Sequence, residues 1–94
     1  MKNILIIDDS ALMRRIISDI INSDEELHSE RTATNGLEAI NMLESGQRFD
    51  CIILDINMPK MNGIEFLKTM NRKGIKQNVI IVSTGRTSIS NIEV

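Results

Sequence analysis

The sequence predicts an α/β protein built as a doubly wound parallel sheet, and three observations carry that prediction. Asn3 to Asp8 (NILIID), Cys51 to Asp55 (CIILD) and Asn78 to Val82 (NVIIV) are short aliphatic runs of the kind that form strands buried on both faces. Segments with helical apolar spacing lie between the runs. Each run also stops at polar side chains: Asp8 and Asp9, then Asp55, then Ser83 and Thr84. With a weaker strand before the second helix, the order is β, α, β, α, β, α, β, which folds as a parallel sheet with right-handed crossovers.

At 94 residues the chain is expected to form one domain, able to bury roughly 60 to 70 % of its unfolded surface. Apolar residues make up 41 % and charged residues 26 %, as in an ordinary globular chain. A net charge of −2 gives no electrostatic footprint for nucleic acid or an anionic membrane. Phe49 and Phe66 are the only aromatic residues, which argues against base-stacking platforms and flavin or nicotinamide sandwiches. The early apolar run Ile4 to Ile7 ends at two aspartates, so it is neither a signal peptide nor a membrane span. A lone cysteine, Cys51, points to a reducing, cytoplasmic setting and to simple core packing.

Ser10 is positioned to cap a helix with apolar residues Leu12, Met13, Ile16, Ile17, Ile20 and Ile21, while Arg14, Arg15, Ser18, Asp19 and Asn22 fall opposite. Asn22-Ser23-Asp24 stops it. Leu27 to Ala33 has the weak pattern of a short strand at an exposed edge, with His28 as a solvated residue. Asn35 reads as an N-cap with Glu38 at N3, and Asn62 with Glu65 repeats the device. NGLEAINML and NGIEFLKTM are thus two helix starts solved alike, not a sequence repeat. Gly46 and Gly74 end the second and third helices. Pro59 bends the segment after Asp55. The residues from Gly85 fit either a started helix or a short strand.

In a parallel sheet of this kind the strands' carboxyl ends share one edge, where such folds keep their ligands. Asp8, Asp9, Asp55 and Ser83 therefore converge. Any one aspartate is an ordinary cap, but three at one edge repel unless a cation intervenes. All-oxygen donors with neither His nor thiolate favour Mg²⁺. A metal held there aligns a phosphoryl group for in-line attack, and one carboxylate can be the nucleophile, giving an aspartyl phosphate. Asp55 stands alone at the end of a central strand, whereas Asp8 and Asp9 form a pair suited to the metal.

IIDDSALMRR, LDINMPKMNG and VIIVST resemble the receiver domain of two-component response regulators, most of all the receiver of chemotaxis methylesterases. The resemblance spans the chain and implies a flavodoxin-like receiver fold of strand order 2-1-3-4-5. It implies that Asp55 accepts phosphate from a histidine kinase and switches a partner or output domain in phosphorelay signal transduction. Asp8 and Asp9 would hold Mg²⁺ with Asp55 and the Asn57 carbonyl. Ser83 would supply the hydroxyl that bonds the phosphoryl oxygen, and Thr84 with Asn57 would tune access of water.

A receiver normally continues to a fourth helix, a fifth strand with an invariant lysine, and a fifth helix. The chain is accordingly expected to be a receiver incomplete at its C-terminus, lacking the fifth strand and helix. Lys60, Lys68, Lys73 and Lys76 occupy no strand end that replaces that lysine, and Arg86 reads as a solvated loop residue. The Asn78 to Val82 strand would then be an aliphatic sheet edge, open to homodimer formation or segment exchange. Two functions compete: a phosphoacceptor acting only on itself, by self-phosphorylation and dephosphorylation, and a receiver-like module that binds or dimerises without phosphorylation. A Mg²⁺-dependent phosphohydrolase would want an acid at position 57, which is asparagine. No G-x-S-x-G elbow or Ser-His-Asp set is present for esterase chemistry.

Overall fold

A computed structural model describes residues 1–56, 58 and 61–82. Seven elements alternate along them: β1 (Lys2–Ile7), α1 (Ala11–Asn22), β2 (Leu27–Ala33), α2 (Gly36–Glu44), β3 (Cys51–Asp55), α3 (Gly63–Arg72) and β4 (Val79–Val82). The strands form one sheet in the order β2-β1-β3-β4, and every pairing is parallel. This is the receiver arrangement expected from the sequence, with four strands and three helices among the described residues.

The two faces of β1 divide the core. Leu5 and Ile7 join Ile52 and Leu54 of β3 in a cluster closed by Ala39, Ile40 and Leu43 of α2 and by Phe66 and Met70 of α3. Ile4 and Ile6 point the other way, toward Ile21 and Ile17 of α1, beside Cys51 and Ile53. Alternate residues of one strand thus feed opposite layers, which is why β1 reads as a continuous apolar run. Cys51 is half-buried in the smaller cluster, a packing role as expected.

Local chemistry sets the helix boundaries. Ser10 Oγ accepts the Met13 amide at 3.2 Å and starts α1. Asn62 and Glu65 close a full capping box at α3. At α2 only half of the expected box forms: Asn35 Oδ1 accepts the Glu38 amide at 2.8 Å, but the Glu38 carboxylate accepts the Thr34 hydroxyl instead. Gly46 and Gly74, at φ of 101° and 71°, follow the ends of α2 and α3 as expected.

Two expectations change. The apolar residues of α1 do not all face the core: Ile21 is buried and Ile17 half-buried, whereas Leu12, Ile16 and Ile20 are exposed. Six apolar positions span a wider arc than one sheet face covers, and among the described residues α2 and α3 both lie on the other side. Strand β4 is not buried on both faces either, since Ile80 and Ile81 are exposed at the sheet margin. The two margins of the sheet differ in character. Strand β2 runs over the expected seven residues. Its register with β1 shifts after Ile4, and it presents His28, Glu30 and Arg31, with His28 paired to Glu30 at 3.2 Å. A bulge and charged side chains blunt an edge. Among the described residues β4, all aliphatic, shows neither device.

Candidate functional site

The site is built where β1 and β3 end. Ile7 pairs with Leu54 across the sheet, so Asp8, just past β1, and Asp55, the last residue of β3, stand at the same level. The ladder continues one bond further on the β2 side, where the Asp8 amide donates to the Ala33 carbonyl at 3.1 Å. That bond fixes the backbone from which Asp8 and Asp9 project. Both Asp8 and Asp55 are buried, with 1 % and 3 % exposure, while Asp9 is exposed.

The three carboxylates meet as the sequence implies: one oxygen from each lies within 4.8 Å of the others. Asp8 is the most constrained of them. Its Oδ1 accepts the Ser10 amide at 2.9 Å, and its backbone carbonyl accepts Arg14 Nη1 at 2.7 Å. Oδ2 is buried and, among the described residues, accepts no hydrogen bond. Burial pushes the Asp8 carboxyl above the ordinary value of 3.8; the Ser10 amide opposes that shift, Asp55 and then Asp9 reinforce it by repulsion, and Arg14 lowers it.

A buried carboxylate oxygen without a donor, facing two further carboxylates, calls for positive charge. The ligand atoms are all hard oxygens, and one face of the cluster is open to solvent through Asp9. This set fits a divalent, oxygen-seeking cation that keeps part of its water shell, as Mg²⁺ does. Asp8, Asp9 and Asp55 are the described residues able to hold it.

Asn57, Ser83, Thr84, Lys60 and Arg86 lie outside the described residues. Val82, which precedes Ser83, pairs with Asp55. The apolar periodicity of α1 puts Arg14 on its solvent side, yet Arg14 is half-buried and its guanidinium fixes the Asp8 carbonyl. The signal for that role was available: a cation one turn into a helix that starts at the sheet's carboxyl edge.

A family model of the response regulator receiver domain matches residues 4–94. The protein-glutamate methylesterase/protein-glutamine glutaminase of Pyrococcus abyssi is 46 % identical over 70 residues, covering 74 % of this chain and 19 % of that protein. Its counterpart in Treponema denticola is 44 % identical over 81 residues, covering 86 % and 22 %. The chain therefore spans about a fifth of the length of the curated relatives it matches. Among solved structures, the response regulator domain of Thermotoga maritima CheB is similar with a TM-score of 0.78 and 35 % identity, over 99 % of this chain and 72 % of that one. The Thermotoga maritima response regulator TrrA, solved in complex with Mg(2+)-BeF, gives a TM-score of 0.79 at 29 % identity, over 98 % and 77 %.

Proposed function

The chain belongs to the response regulator receiver domain family, and from that premise we propose that Asp55 is its phosphoacceptor, loaded by a histidine kinase with the help of Mg²⁺. The observation that carries this reading is the meeting of Asp8, Asp9 and Asp55 within 4.8 Å at the carboxyl edge of the sheet. Receiver domains act as phosphoacceptor signalling modules. What is proposed is the assignment of roles within this one.

An Asp55 carboxylate oxygen attacks the phosphorus of a phosphohistidine. The new P–O bond gives an acyl phosphate as the P–N bond breaks, and its electron pair leaves with the imidazole nitrogen, which takes up a proton. Burial of Asp55 limits the water that competes for the phosphorus. Asp8, Asp9 and Asp55 would hold the cation, and the family resemblance adds the Asn57 carbonyl. Ser10 and Arg14 keep Asp8 in place from either side of its Cα, through its carboxylate and its carbonyl. When bound, Mg²⁺ supplies positive charge against the phosphoryl oxygens. The family resemblance gives Ser83 the hydroxyl that bonds a phosphoryl oxygen. No separate substrate is turned over.

The curated relatives carry methylesterase names, which supports an output domain or downstream protein of chemotaxis as the element switched. A cytoplasmic location follows from that partnership; among the described residues no helix is long and apolar enough to cross a membrane. The uncharged edge of β4, in contrast to the charged and bulged β2 edge, supports self-association through β4. Incubation with Mg²⁺ and acetyl phosphate should add one phosphoryl group by intact-mass analysis, and Asp55→Asn should abolish it. An unmodified wild-type chain would refute the phosphoacceptor assignment and leave the non-covalent binding module.

A further inference from the structure

The two similar helix starts, Asn35-Gly36 and Asn62-Gly63, take no part in the carboxylate cluster, yet both abut the segment that follows Asp55. A Cβ built on Gly63 would fall 2.9 Å from the Ile56 Cα and 3.2 Å from the Asp55 carbonyl oxygen. α3 thus begins directly over the acceptor backbone, and the Gly63 amide donates to the Ile56 carbonyl at 3.0 Å, drawing the two ends of the segment together. On Gly36, a Cβ would fall 2.5 Å from the Met61 carbonyl oxygen and 2.9 Å from the Met61 Cγ. Both distances are closer than real side chains come, so Gly36 is the residue that lets α2 seat against Met61.

Met61 carries the further sign of constraint. Its φ is 56°, the left-handed region that side chains with a Cβ rarely occupy. Such a conformation persists where the surroundings over-determine it. Here the surroundings are the Gly36 backbone on one side and the Asn62–Glu65 capping box on the other. Met58, within the same segment, is buried in the larger core cluster, and Met61 packs against that cluster.

We infer that Gly36 and Met61 form a positioning contact: α2, through Met61, seats the start of α3, whose Gly63 lies against the Asp55 carbonyl, and thereby helps set the cation site that Asp55 shares with Asp8 and Asp9. Neither residue belongs to the carboxylate cluster, and the inference rests on the Mg²⁺ reading proposed above. Residues that orient a metal ligand from outside the ligand shell are worth roughly 10- to 100-fold in metal affinity. Gly36→Ala drives a methyl group into the Met61 carbonyl. Met61→Gly removes the wedge and relaxes the left-handed constraint.

Titration calorimetry of Mg²⁺ into the wild type, Gly36→Ala, Met61→Gly and Glu38→Ala tests this, alongside thermal melts in chelator. Glu38→Ala loosens the same helix start without touching Met61, since Glu38 accepts from Thr34 and Asn35 caps its amide. Gly36→Ala and Met61→Gly are each expected to weaken Mg²⁺ binding roughly tenfold, while Glu38→Ala stays within about twofold of the wild type. Met61→Gly is decisive if Gly36→Ala does not fold, because Met61 is only half-buried, so the packing lost is partial, and glycine takes up its positive φ without strain. Affinities within about twofold of the wild type in the folded Met61→Gly variant, or an equal loss in Glu38→Ala, would overturn the inference. Failure of the wild-type chain to bind Mg²⁺ overturns the metal reading itself, and the inference with it.

Discussion

Asp8→Asn is expected to stabilise the metal-free protein while destroying its response to Mg²⁺. The substitution is nearly isosteric. The amide oxygen of the introduced asparagine can still accept the Ser10 N–H, which Asp8 Oδ1 now meets at 2.9 Å, and its amide nitrogen offers a donor where Oδ2 has no partner among the described residues. What disappears is a buried negative charge repelled by Asp55 and Asp9. An unsatisfied buried acceptor costs about 1–3 kcal/mol, more when charged. For a domain of this size each kcal/mol moves the midpoint by about 4–8 °C, so the expected rise is roughly 4–24 °C in chelator at pH 7. Melts followed by far-ultraviolet circular dichroism suit a chain without Trp or Tyr.

The pH dependence fixes the sign. Below 3.8 Asp8 is protonated in the folded and unfolded chain alike, and the wild type bears no charge penalty. As the pH rises above 3.8 the unfolded chain ionises first, because the folded carboxyl holds its proton more tightly. The penalty grows until the pH passes the raised folded value and is constant thereafter. The stability gap between Asp8→Asn and the wild type should therefore open across that window and close below it. Saturating Mg²⁺ should reverse the order, since a hundredfold excess over Kd adds about 2.7 kcal/mol to the wild type alone. An Asp8→Asn chain no more stable than the wild type at pH 7 in chelator would refute the argument.

Two further outcomes follow from the described contacts. Asn62→Ala removes the side chain that accepts the Glu65 amide at 3.0 Å and should cost about 0.5–2 kcal/mol by urea unfolding, with the wild-type slope retained. Ile80→Lys places a charge on an exposed residue of the β4 edge, so it should change stability by about 0.5 kcal/mol or less while lowering the apparent mass by light scattering at high concentration. A wild-type chain that stays monomeric there removes the case for association through β4.

The elements themselves were legible because their signals are local. Asn3 to Asp8 and Cys51 to Asp55 announce strands by composition, and Ser10, Asn35 and Asn62 announce helix starts by the chemistry of their own side chains. Convergence of Asp8, Asp9 and Asp55 was also legible, since a parallel sheet puts every carboxyl end on one edge. What periodicity could not settle was which part of a wide apolar arc is covered. On α1, Ile17 and Ile21 face the sheet, whereas Leu12, Ile16 and Ile20 would need a neighbour beside the helix. That depends on elements far away in sequence. Arg14 was misplaced for a related reason: at the first turn of a helix that starts on the site edge, the polar side of the helix points partly at the site. The seating of Gly36 on Met61 joins residues that share no local pattern, so nothing in the sequence signals it.

Instability and reactivity in this site have one source. The aliphatic ends of β1 and β3, Ile7 and Leu54, are wholly buried, and their ladder holds Asp8 and Asp55 at one level whatever the carboxylates would prefer. In water the same three groups would separate. Here the core resists that separation, so burial first, and repulsion by Asp55 and Asp9 after it, persist as a local cost at Asp8. A cation relieves it, and its affinity then includes the energy that folding stored in the cluster. A phosphoryl group on Asp55 brings further negative charge to the same place and strengthens the demand for that cation. The site is thus prepared for a charged ligand by being, without one, the least comfortable part of an otherwise apolar core, which is why Asp8→Asn should gain stability and lose function together.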